Sequence, residues 1–164
     1  MFEKQWLQWI FSIYSLIIRV GSNLQSIFLL YMRVTWGHQF LLSGLNKLHN
    51  IDHTAYFFTS LSIPFPVHHA YLVSWFEVIG GIFFILGFAS RLSAIPLSII
   101  MFTALGTAHA PVVIGFRFLT NPTLFAGESP YPFLLTAILL FIFGPGKFSL
   151  DGWLKRWVSK QERM

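Results

Sequence analysis

LQSIFLLYMRVTWGHQFLLSGL, residues 24–45, carries one full charge, Arg33, in a stretch otherwise suited to hydrocarbon. It is long enough to cross the roughly 30 Å apolar core of a bilayer as a helix. Further apolar stretches follow at 70–88, 92–108 and 131–144. The fold therefore turns on whether these are membrane spans or the core helices of a soluble domain. Composition favours spans: of 164 residues, 55% are hydrophobic and only 10% charged, against about 25% charged in a typical soluble domain. Too few polar side chains remain to clothe a globular surface. The expected fold is an all-α integral membrane protein, a four-transmembrane-helix bundle with amphipathic interfacial helices at its N- and C-termini.

The rest of the chain divides around these spans. In QWLQWIFSIYSLIIRV, residues 5–20, Gln5, Gln8, Ser12, Ser15 and Arg19 recur every three or four positions, a single polar stripe on an apolar helix. That pattern suits a helix lying in the membrane interface, with a short or tilted span as the competing reading. Gly21-Ser22-Asn23 reads as a break and cap before the first span. Residues 1–23 then form an amphipathic segment, 24–146 the membrane domain, and 147–164 a basic amphipathic tail. Within the domain, residues 54–67 contain Pro64 and Pro66 and are too broken to span, which leaves a loop with a short helix. The second span is placed at 69–88 and the third at 91–109, with Pro96 bending its early turns rather than ending it. Residues 110–130, with Pro111, Pro122 and Pro130, form a long loop before a short fourth span at 131–146.

The bases orient this arrangement. One side collects Lys4, Arg19, Arg91, Lys147, Lys155, Arg156, Lys160 and Arg163, and the other only Lys47 and Arg117. Both termini are thus expected to be cytoplasmic. The net charge of +5 fits anionic lipid headgroups better than nucleic acid, because the bases lie outside the apolar runs. No cleaved signal peptide is expected, since the N-terminus lacks a short apolar stretch followed by a small-residue cleavage site. The absence of cysteine excludes disulfides, a thiol relay within the chain and cysteine-ligated metal centres.

Charges inside the spans mark the candidate site. A lone charge in hydrocarbon costs at least ~2.5–3.5 kcal/mol, so Arg33 and Glu77, placed at similar depth, are expected to pair. Such a pair is as compatible with packing specificity as with function. Arg33, Gly37, Phe40, Gly44 and Lys47 share one helix face, and Gly80–Gly81 follow Glu77 by one turn, which together outline a glycine-rich polar seam. His38 points about 140° away from Arg33 and is expected to donate to a neighbouring helix, with a second polar face or a subunit contact as the alternative. His49, His53, His68, His69 and His109, with Lys47 and Arg117, gather at the non-cytoplasmic end. No zinc-ligand spacing is present, so no metal is expected. An aromatic-rich cavity with a basic rim there would suit a quinone or a lipid-like ligand.

LLYMRVTWGHQFLLSGLNKL (29–48) and WFEVIGGIFFILGFASRLSAIPLSIIMFTA (75–104), together with Asn121-Pro122, resemble the DoxX family. The resemblance covers about residues 25–145. It implies a small four-helix protein of the bacterial inner membrane, linked to thiosulfate:quinone oxidoreduction or to redox enzymes of oxidative-stress defence. The matching polar positions are Arg33, Lys47, Glu77, Arg91 and Asn121, and His109 at the end of the third span joins them as a candidate ligand contact. The lack of cysteine argues against a direct thiol–disulfide role. The expected function is a membrane subunit or anchor of a quinone-linked redox system. The alternative is a non-catalytic scaffold or a carrier of small lipophilic solutes. Expected partners are membrane lipids, with a soluble oxidoreductase or further copies of the chain, and no nucleic acid.

Overall fold

The computed structural model describes residues 2–108, 123 and 126–161. Among these residues all regular structure is helical: α1 (Phe2–His49), α2 (Ile51–Ser60), α3 (Pro66–Leu86), α4 (Ser90–Thr107), α5 (Pro130–Phe143) and α6 (Leu150–Gln161). Helix α1 packs on α3, α3 on α4, α4 on α5 and α5 back on α1, while α2 lies against α3.

The break expected at 21–23 does not occur, and α1 runs uninterrupted through 48 residues, about 72 Å at 1.5 Å per residue. The capping side chains are engaged elsewhere. The Ser22 hydroxyl donates back to the Arg19 carbonyl, and Asn23 accepts from Lys147. Gly21 alone weakens a helix by only about 1 kcal/mol, too little to end one with apolar residues on both sides. The portion from Trp9 to Gln25 is exposed throughout. Packing begins at Ser26 and Leu29.

Among the described residues, length and composition qualify three helices to cross a membrane: Trp9–His49 within α1, Pro66–Leu86 and Ser90–Thr107. Pro96 lies inside α4 without ending it. Helix α5 is as apolar but has only 14 residues, about 21 Å. The outer faces are apolar: Tyr31, Leu42, Trp75, Ile79, Ile99 and Phe102 are all exposed.

The interior of the helix cluster is small. Leu29, Phe40, Phe84, Ala94, Leu97, Met101, Ala137 and Leu140 form its core. Phe40 meets Phe84 and Phe133 edge-on at centroid distances of 5.9 and 4.7 Å, the preferred geometry for ring quadrupoles. Helices α1 and α3 approach through glycines. A Cβ on Gly37 would stand 3.0 Å from the Gly81 carbonyl, and one on Gly44 would stand 2.7 Å from the Ser74 carbonyl. Gly81 faces α1 in the same way, whereas Gly80 faces Leu97 of α4.

The turn between α3 and α4 is tight. Gly87 takes φ +67°, and the Phe88 and Gly87 amides donate to the Phe83 and Phe84 carbonyls, closing α3 with a Schellman motif. Ala89 follows at φ +45°, a left-handed conformation unfavourable for a residue with a Cβ.

Candidate functional site

The antiparallel register of α1 and α3 decides which charges meet. Gly37 opposes Gly81 and Ile85, and Gly44 opposes Ser74 and Val78. In that register Arg33 lies beside Gly87, ten residues and about 15 Å along α3 from Glu77. The expected Arg33–Glu77 pair therefore does not form. Estimating depth from the ends of apolar runs misplaces α1, whose helix begins far before the packed region.

Glu77 pairs instead with Lys47. The ammonium lies 2.5 Å from each carboxylate oxygen and 3.2 Å from the Ser43 hydroxyl. Glu77 is fully buried, while the Lys47 side chain keeps 29% of its surface. Among the described residues this is the only ion pair. Register explains it: Lys47 is one turn past Gly44, and Gly44 lets α3 come close enough for the ammonium to reach the carboxylate.

The pair stands in the wall of a cleft of about 690 Å³, within the range of small-molecule sites. Its lining is mainly apolar, with Phe57 and Phe58 from α2, Leu61 just after it, Leu72 and Val73 from α3, and Ile100 and Ala104 from α4, beside the hydroxyls of Thr103, Thr107 and Ser129. Phe133 of α5 also lines it, held by an edge contact to Trp36 at 5.1 Å. His69 reaches the rim, with Nδ1 placed 3.2 Å from the Phe65 carbonyl. The cleft lies at the α2 end of the molecule. There the ammonium offers a donor and a positive charge, the carboxylate an acceptor, and the walls a mainly apolar surface.

Arg33 occupies a second, separate polar centre at the opposite end, at the α3–α4 turn. It is 1% exposed. Its Nη1 donates to the Pro145 carbonyl at 2.6 Å, and its Nη2 to the Phe148 carbonyl at 2.8 Å and more weakly to Ile85 at 3.4 Å. A planar fork suits convergent carbonyls that a point charge could not all reach. Beside it, Asp151 of α6 accepts from the Ala89 and Ser90 amides at 2.9 and 3.2 Å. Its own amide donates to the Gly87 carbonyl at 3.0 Å. Asp151 thus caps α4 from another helix, satisfying amides that Ala89 leaves open and complementing the positive end of α4. Gly87 is required here twice, because a Cβ would also run into the Arg33 guanidinium.

The remaining sequence candidates separate. Arg91 is exposed and donates to the Ile142 carbonyl at 3.3 Å, so it belongs to the turn end and not to the cleft. His109, Arg117 and Asn121 lie outside the described residues. His38 does not donate to a neighbouring helix. It lies on the exposed side of α1, because α3 and α5 cover the opposite face. No three His, Asp or Glu side chains gather as a metal site among the described residues. Sequence reading does not find Asp151, whose signal is an acid beginning an otherwise basic helix. Nor does it find the α2 wall of the cleft, whose signal is the Phe57-Phe58 pair before Pro64.

Residues 28–110 match the model of the DoxX family. A protein of Bacillus subtilis (strain 168) named "Putative oxidoreductase CatD" is 30% identical over 122 residues, covering 74% of this chain and 83% of the relative. No solved structure matches.

Proposed function

The chain belongs to the DoxX family, and from that premise we propose a four-span membrane protein that holds a quinone-class ligand against Lys47 and Glu77. In this reading α1, α3, α4 and the shorter α5 cross the bilayer, which solvates their exposed apolar faces. The shorter reach of α5 is met by local thinning of the bilayer. The basic tail and both termini lie on the cytoplasmic side of a bacterial inner membrane, and the cleft opens toward the other.

The observation that carries the ligand reading is a fully buried carboxylate held by a partly exposed ammonium in an apolar cleft of about 690 Å³. A quinone carbonyl accepts a hydrogen bond from the ammonium. A hydroquinone hydroxyl donates one to the carboxylate. The pair can therefore hold both redox states while Phe57, Phe58 and Phe133 pack the ring. Reduction adds two electrons and two protons, and the electrons come from a partner oxidoreductase for which this chain is the membrane subunit. The relative's name places it in the same broad class of chemistry.

One observation favours the non-redox alternative, a scaffold or carrier of lipophilic solutes. Lys47, Glu77 and Ser43 satisfy one another without a ligand. Mass spectrometry of lipid extracts from the gently purified protein, followed by titration with a short-chain quinone, separates the two. Co-purified quinone is expected, with affinity reduced about tenfold or more by Glu77→Gln and by Ala104→Trp, which fills the cleft from α4. An extract without quinone and an affinity unmoved by both substitutions would leave the scaffold reading.

A further inference from the structure

Beside the basic tail, a groove of about 400 Å³ lies between one face of α1, the end of α5 and the start of α6. Its apolar part is Leu29 and Phe143, its neutral polar part Ser22, Gln25 and Ser26, and its charged part Lys147 and Arg156. The two cations are fixed at its edge. Lys147 donates to Asn23 at 3.2 Å, and Arg156 donates to the Lys147 carbonyl at 3.3 Å. Gly146, at φ +79°, brings the turn against α1, with its Cβ position 3.5 Å from the Ser26 carbonyl. That contact holds Lys147 over the α1 face.

Among the described residues these cations have no carboxylate counterpart. The one ion pair there is at the opposite end, and Asp151, the acid of α6, gives both oxygens to the Ala89 and Ser90 amides. Each base spends one donor on a neutral oxygen and keeps others free. Two charges beside Leu29 and Phe143, with a wall of hydroxyls and the Gln25 amide, match a phosphodiester attached to an acyl chain. Trp153 and Trp157 of the same helix are exposed, as expected of aromatics at the headgroup level.

We propose that this groove is a headgroup site for an anionic phospholipid, with the phosphodiester between Lys147 and Arg156 and an acyl chain passing Leu29 and Phe143. The site rests on the membrane placement proposed above but not on the ligand of the Lys47–Glu77 cleft. It also accounts for the docking of the tail, because Asp151 seats α6 on the α3–α4 turn and the seated helix carries Arg156 to the lipid.

The test is native mass spectrometry of the full chain in detergent, titrated with phosphatidylglycerol, phosphatidylcholine or inorganic phosphate. Phosphatidylglycerol is expected to bind more tightly than phosphatidylcholine. The double variant Lys147→Gln/Arg156→Gln should weaken that binding roughly 20- to 30-fold, about fivefold per base removed near an anionic headgroup. The pair Lys155→Gln/Lys160→Gln removes the same charge from α6 away from the groove and should cost less than about fivefold in total. Thermal unfolding checks that both double variants remain folded, since all four side chains are exposed. Equal affinity for the two lipids, equal loss in the two double variants, or displacement by inorganic phosphate at equal concentration would each overturn the site. None of these outcomes bears on quinone binding, which is read at the other end of the molecule.

Discussion

Lys47 at the end of α1 and Glu77 in the middle of α3 form an ion pair in which only the lysine keeps exposed surface. Removing the lysine strands a buried carboxylate, whereas removing both charges does not. Lys47→Met is therefore expected to destabilise the protein by about 2–4 kcal/mol, below the fully buried limit because the lysine is partly solvated. Lys47→Met/Glu77→Gln should recover most of that loss. Unfolding in detergent measures both, and a double variant as unstable as the sum of its parts would show that the two residues are not coupled.

Arg33 holds the chain beyond α5 by donating to the Pro145 and Phe148 carbonyls. Arg33→Lys keeps the charge but cannot reach the Pro145 and Phe148 carbonyls together. We expect a loss of about 2–3 kcal/mol and faster protease cleavage between residues 144 and 150. Unchanged cleavage would mean that the tail docks without the guanidinium.

Asp151→Ala removes the cap of α4 while leaving Arg33 in place. A lost cap costs about 1–2 kcal/mol. Amide exchange at Ala89 and Ser90 should rise with it, and exchange within α2 should stay as it was. If the Ala89 amide keeps its protection, another acceptor caps α4.

Glycines of α1 differ sharply in what surrounds them. A Cβ on Gly44 meets the Ser74 carbonyl at 2.7 Å and the Val78 side chain at 2.8 Å, whereas nothing lies within 4 Å of one on Gly21. Gly44→Ala should cost about 1–3 kcal/mol and disturb the Lys47–Glu77 pair one turn away. Gly21→Ala should be neutral or stabilising by up to about 1 kcal/mol. Similar melting temperatures for the two variants would contradict the close approach of α1 and α3.

Much of this is legible along the chain. The apolar runs locate α3, α4 and α5 to within a few residues, because a run of side chains without charge marks its own length. The three- and four-residue spacing of Arg33, Gly37, Phe40, Gly44 and Lys47 marks the face of α1 that packs. Two expectations fail for one reason. The break at Gly21 and the Arg33–Glu77 pair both follow from local boundaries, and a helix boundary is a weak local preference that side-chain contacts elsewhere override. The α2 wall of the cleft is marked only by the Phe57-Phe58 pair, and nothing in that pair specifies which helices it will face.

Periodicity and composition by themselves determine that the chain is helical, which face of α1 packs, and that Arg33 and Glu77 are held in an apolar setting. Tertiary structure decides which of these charges meet. Sequence spacing specifies angle and rise within one helix, but nothing in it specifies the sliding of one helix along another. That offset is set where Gly37 and Gly44 let α3 approach and where the Gly87 turn makes room for Arg33. It sends Glu77 to Lys47, and it leaves Arg33 to the carbonyls that anchor the tail.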